Sequence, residues 1–148
     1  MKSSIRSPLR YPGGKTRARA TVLPKLLKQG AQQLISPFIG GGSIELAWLN
    51  ANPDGFAECY DIYEPLVEFW RFLLIDPQGL ATLSKMHMPC DRNMFSQLQK
   101  NLASFKGIEK AAAFFVLNRC SFGGCLLYTS DAADEGLGVD LGGRRIIK

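Results

Sequence analysis

In SPFIGGGSIELAW, Ser36 to Trp48, a short apolar stretch runs into three consecutive glycines and then a helix-forming segment. Glycines in a strand-to-helix turn permit positive φ and let a bound molecule lie against the main chain. Gly40, Gly41 and Gly42 together exceed what a simple turn requires. Asp61 follows Gly42 by 19 residues and closes the strand-like segment FAECY. In glycine-loop α/β folds an acid at that place accepts hydrogen bonds from ribose hydroxyls. Each feature also has a plainer reading: a turn that packs helix on sheet, and an acid that caps the next turn. Joined, they point to a ligand that contains adenosine.

Two phosphate-binding patterns fail. The P-loop pattern could end at Gly14-Lys15-Thr16, but its first glycine falls on Leu9 and no strand precedes it. The dinucleotide pattern could begin at Gly40 and Gly42, but its third glycine falls on Glu45. S-adenosylmethionine carries adenosine without phosphate and fits what remains. Metal chemistry has little support. Cys59, Cys90, Cys120 and Cys125 form no Cys-x-x-Cys pair, and the single histidine, His87, stands in KMHMP without a second ligand. Buried free thiols in a reducing compartment, and no metal, are the expectation.

The elements that must position these residues read as an α/β unit. A helix is expected through about Gln29 with a break near Pro24, then a strand over Leu34–Phe38 and a helix over Ile44–Asn50. Asn52-Pro53-Asp54-Gly55 is a turn, and Phe56–Tyr60 a second strand. Glu64–Leu74 is helical with Val67, Trp70 and Leu74 on one face. Asp76 and Asp91 cap two further helices, the second running to about Ser104. Glu109–Asn118 is a largely buried helix in which Phe114 and Phe115 read as core. Strand, helix, strand at this spacing indicates a parallel sheet, but two strands are too few for a complete doubly wound one.

At 148 residues, 46% hydrophobic and 21% charged, the chain has the composition of a soluble globular domain. No run approaches the ~20 apolar residues of a membrane span, and no signal peptide opens the chain. A cytoplasmic protein without membrane contact is expected. The net charge is +5, yet residues 1–28 carry eight lysines and arginines and no acid. That arm could simply be solvated; its concentration at one end also suits a nucleic acid.

Four segments carry a resemblance. PLRYPGGKTRA, PFIGGGSIEL, CYDIYEPLVEFWRFL and FFVLNRCSFGG occur in the order in which Dam-type DNA adenine methyltransferases have them, over about residues 7–124. The resemblance implies transfer of a methyl group from S-adenosylmethionine to the exocyclic amine of adenine in double-stranded DNA. It implies an incomplete Rossmann-like methyltransferase fold with a helical target-recognition insertion. Residues 1–62 would be the start of the cofactor-binding domain and 63–124 a truncated target-recognition region. Tyr11 would contact the cofactor and Lys15 reach it. Phe38 to Gly42, with Gly40 and Gly42, would lie beneath its methionine part, and Asp61 would bind its ribose. Asn118 and Arg119 would contact DNA, although a polar pair closing a helix explains them equally well. A monomer is expected for the complete enzyme.

The family's chemistry also needs an Asp-Pro-Pro-Tyr or Asp-Pro-Pro-Phe stretch to hold the flipped base. The sequence has no Pro-Pro pair. From Cys125 on, CLLYTSDAADEGLGVDLGGRRIIK resembles a translated sequencing-library adapter and no part of the family. The expectation is therefore an inactive N-terminal piece with a non-native tail over 125–148. Two alternatives stand beside it: a non-enzymatic DNA-binding module, and an α/β methyltransferase acting on RNA or a small molecule.

Overall fold

The computed structural model describes residues 5–121, which hold two strands and six helices. The first part comprises α1 (Arg19–Lys28), β1 (Gln33–Ser36), α2 (Ser43–Ala51) and β2 (Phe56–Cys59). The second comprises α3 (Glu64–Ile75), α4 (Pro77–Met86), α5 (Arg92–Asn101) and α6 (Gly107–Cys120). This is an α/β arrangement: β1 and β2 pair in parallel, with Leu34 opposite Ala57 and Ser36 opposite Cys59, and α2 connects them.

β1 stops at Ser36 rather than Phe38 because Pro37 has no N–H to give the ladder. The strand exits stay joined beyond it. Tyr60 N–H donates to the Ser36 carbonyl at 2.8 Å, and Ile39 N–H donates to the Tyr60 carbonyl at 2.8 Å. The glycine loop and Asp61 are thereby brought side by side. On the helix side, buried Ser36 Oγ donates to buried Glu45 Oε1 at 2.5 Å and ties α2 to β1. The opposite side of the ribbon is exposed at Ile35 and Phe56, whereas parallel sheets are ordinarily covered on both faces.

α6 is the centre of the helical part and packs against α3, α4 and α5. Ala111, Ala112 and Ala113 let neighbouring helices approach closely, while Phe114, Val116 and Leu117 fill the space between them. Phe114 is core, as its sequence setting indicates, and half-buried Phe115 stacks on Phe69 with centroids 5.3 Å apart. Lys110 is buried too, and its ammonium reaches Glu64 on α3 at 2.9 Å. Leu9, from the N-terminal loop, joins this same core.

Two expectations are corrected. The inward face of α3 is Pro65, Leu66 and Phe69, while Val67 and Leu74 are exposed. The helix buries the stripe that meets α6, and that stripe lies one residue before the one its apolar spacing suggested. Pro24 does not break α1, which continues through it. The ring denies a hydrogen bond to the Ala20 carbonyl, but both residues are exposed, so water can serve that carbonyl.

Asp76 and Asp91 cap as expected, accepting from Gly79 N–H at 2.9 Å and Met94 N–H at 2.8 Å. α5 then ends at Asn101, three residues early, because the Asn101 carbonyl closes a turn with Ser104 N–H. Asp91→Ala is expected to cost about 1 kcal/mol, the usual worth of such a cap, measured by urea unfolding.

Candidate functional site

The candidate site is the turn from β1 to α2. Gly40 and Gly42 have φ of +47° and +64°, the left-handed region in which side chains are strained. The space beside each glycine is already occupied by the protein. A Cβ on Gly40 would stand 3.1 Å from Tyr11 Cε1, and one on Gly41 would stand 2.9 Å from Tyr11 Cβ. A Cβ on Gly42 would meet the Trp70 ring at 2.7 Å. The three glycines therefore admit the faces of two aromatic side chains, which in turn support the loop.

Polar contacts fix the loop further. Gly40 N–H donates to Asp61 Oδ2 at 3.0 Å, and Tyr63 N–H donates to Asp61 Oδ1 at 3.1 Å. Asp61 thus closes the turn into α3 and also holds the glycine loop. Trp70 Nε1 donates to the Gly40 carbonyl at 3.0 Å. Sequence reasoning missed this role of Trp70. Its signal is the indole N–H, which seeks an acceptor wherever the ring is covered.

Tyr11 lies in a turn closed by Gly14 N–H on the Tyr11 carbonyl at 3.0 Å. Burial, and after it the Asp61 carboxylate, push the Tyr11 phenol above its ordinary value, so the ring is neutral near pH 7. Tyr63 is raised in the same way, by burial and then by Tyr11. Lys15 is exposed, and its ammonium donates to the Gly13 carbonyl of its own loop at 2.9 Å. The next residue, Thr16, shares a 3.0 Å hydroxyl contact with Ser43, the first residue of α2. Phe38 is 81% exposed and Ile62 is 98% exposed, each just beyond the C-terminal end of its strand. Tyr11, Gly40 and Asp61 belong to one neighbourhood, with Phe38 two residues before Gly40 and Lys15 in the loop that carries Tyr11.

Asn118 and Arg119 part company. Arg119 is exposed at the end of α6. Asn118 is 1% exposed, and its amide bonds the Arg10 main chain twice: Oδ1 accepts from Arg10 N–H at 2.9 Å and Nδ2 donates to the Arg10 carbonyl at 2.7 Å. That amide is engaged inside the protein, so contact with DNA would require breaking both bonds.

Cys59, Cys90 and Cys120 are half-buried rather than buried; Cys125 lies outside the described residues. Burial, then Glu45, push the Cys59 thiol from 9.0 up to about 11. Because the folded value is the higher one, its contribution to stability is present below pH 9 and is lost as pH rises through about 11. Unfolding midpoints measured from pH 8 to 11 are expected to fall for the wild type, and to fall less for Cys59→Ala.

A family model for D12 class N6 adenine-specific DNA methyltransferase matches residues 11–133. The chain belongs to that family. The match begins at Tyr11 and takes in the glycine loop, Asp61 and all four helices from α3 to α6. It separates the alternatives in favour of an S-adenosylmethionine-dependent enzyme class acting on adenine in DNA, against a small-molecule or RNA methyltransferase and against a non-enzymatic module. It also extends past Gly124 to residue 133, so its last stretch overlaps the adapter-like tail, which lies outside the described residues. No curated protein matches the chain. Among the described residues no three His, Cys, Asp or Glu side chains group to hold a metal, and no helix is long and apolar enough to cross a membrane.

Proposed function

We propose that this chain is the cofactor-holding portion of a site-specific DNA adenine methyltransferase, with S-adenosylmethionine seated at the C-terminal ends of β1 and β2. The observation that carries the reading is the bond from Gly40 N–H to Asp61, which joins the two sequence features on which it rests. The residues suit the ligand. A carboxylate offers about four lone-pair sites, and two main-chain donors leave Asp61 capacity for ribose hydroxyls. Exposed Ile62 offers apolar surface for adenine, exposed Phe38 offers it for the methionine part, and the neutral Tyr11 ring suits a sulfonium cation. Lys15 can leave its single exposed bond to Gly13 and turn to the cofactor's carboxylate. When bound, S-adenosylmethionine supplies a methyl group already activated by its sulfonium.

On this reading the fold is the start of a Rossmann-like domain, residues 1–62, followed by a helical target-recognition insertion over 63–124. Double-stranded DNA approaches the exposed cations Arg6, Arg10 and Arg17 and the exposed Arg119. Asn118 contributes by holding Arg10 rather than by touching DNA. Removing one phosphate contact reduces the salt slope of duplex binding by about 1. Arg119→Ala is expected to show that change in a fluorescence titration of duplex DNA at several salt concentrations.

The complete enzyme is a cytoplasmic monomer in this reading. The 148-residue chain binds cofactor without transferring the methyl group, because no Asp-Pro-Pro-aromatic stretch is present to hold the target amine. Incubation with radiolabelled S-adenosylmethionine and duplex DNA is expected to show cofactor retention and no labelled DNA; labelled adenine would contradict it. Residues 125–148 stand outside the enzyme in this account, although the family match runs to residue 133, and a long read of the source DNA across the Gly124 codon tests that.

A further inference from the structure

The loop that carries Tyr11 has no strand or helix of its own. Residues 5 to 18 precede α1, and the loop's polar residues are largely exposed. It nevertheless stands where Tyr11 closes on Gly40 and Gly41. Besides the Thr16 contact to Ser43 on α2, two anchors from the helical layer place it there. Leu9 is sunk into the core of α3 to α6, and Asn118 brackets Arg10 through its N–H and its carbonyl. Asn118 spends both amide functions on this one residue, 108 positions away. A primary amide that meets a main-chain N–H and C=O together satisfies both groups and allows the loop only one register.

We propose that Asn118 is a positioning residue for the cofactor site: through Arg10 it presses Tyr11 onto the glycine loop. This rests on the reading above, in which the cofactor lies against Tyr11 and the glycines. The helical layer then forms part of the cofactor site, although none of its helices carries a cofactor ligand. Trp70 on α3 acts in the same sense, with its ring against Gly42 and its N–H on the Gly40 carbonyl. The glycine loop is packed by two aromatic side chains, and each is held by the helical layer.

Asn118→Leu keeps the branched shape with a somewhat larger side chain and removes both hydrogen bonds. In that variant, amide exchange over residues 10–14 is expected to quicken at least tenfold while α6 stays slow. Calorimetric titration well below the melting midpoint is expected to show S-adenosylmethionine binding weakened at least tenfold. A merely structural asparagine would lower the melting temperature and leave the affinity of the folded chain unchanged, which would overturn the proposal. Asn118 lies in the core, so a second measurement uses the unmutated chain. There the Arg10 amide is expected to exchange as slowly as those of α6, and exchange as fast as at Gly13 would overturn the proposal. If the unmutated chain binds no S-adenosylmethionine, the cofactor reading falls, and the exchange data alone decide whether Asn118 holds the Tyr11 loop.

Discussion

Asp61→Ala is expected to abolish measurable S-adenosylmethionine binding, a loss of at least ~100-fold or about 2.7 kcal/mol. The carboxylate has two roles, and the variant removes both. Oδ2 fixes the Gly40 N–H and Oδ1 fixes the Tyr63 N–H, so the glycine loop and the start of α3 lose their common tie. Hydrogen bonds to a charged group contribute about 1.5–3 kcal/mol each, but Asp61 is only half-buried, so a stability loss of about 2 kcal/mol is expected from urea unfolding. The ribose contact is lost in addition. Should Asp61→Ala lose stability yet bind S-adenosylmethionine as tightly as the wild type, the residue would be a scaffold for the loop and nothing more.

Gly42→Ala is expected to be the most damaging methyl group in the molecule's glycine loop. At φ of +64° an L-residue is strained, which costs about 1–2 kcal/mol. Its Cβ would lie 2.7 Å from the Trp70 ring, and that ring cannot retreat freely because Nε1 is bonded to the Gly40 carbonyl. Overpacking of this kind adds about 1–3 kcal/mol, so the total is about 3 kcal/mol. For a chain of this length the melting midpoint should drop by about 10 °C. Gly13→Ala is the control. Its φ is +73°, but nothing lies within 4 Å of the added Cβ, so only the conformational cost remains. Equal midpoints for the two variants would show that Trp70 does not bear on the loop.

The sequence revealed the parts of this site that depend on local chemistry and concealed those that depend on packing across the chain. Gly40 to Gly42 and Asp61 announce a strand-to-helix turn and a strand-end acid, and the structure joins them by a direct bond. Asp76 and Asp91 sit where a capping side chain must, and both cap. The reason for three glycines was hidden, because it lies in Tyr11 and Trp70, which are 29 residues before Gly40 and 28 after Gly42. The role of Asn118 was hidden for the same reason. Nothing near it in the sequence shows that its amide serves Arg10, and a DNA contact and a polar residue closing a helix explained it equally well. The stripe on α3 was misplaced because Val67 and Leu74 are as apolar as Leu66 and Phe69; only the position of α6 decides which set is buried.

Calorimetric titration of the folded 148-residue chain with S-adenosylmethionine, and in parallel with ATP and NAD, tests the central claim most directly. Saturable binding of S-adenosylmethionine at one site is predicted, without comparable binding of either nucleotide, since the loop lacks both phosphate-binding patterns. A chain that is folded by circular dichroism yet binds no S-adenosylmethionine, or that binds ATP or NAD as tightly, would contradict the account.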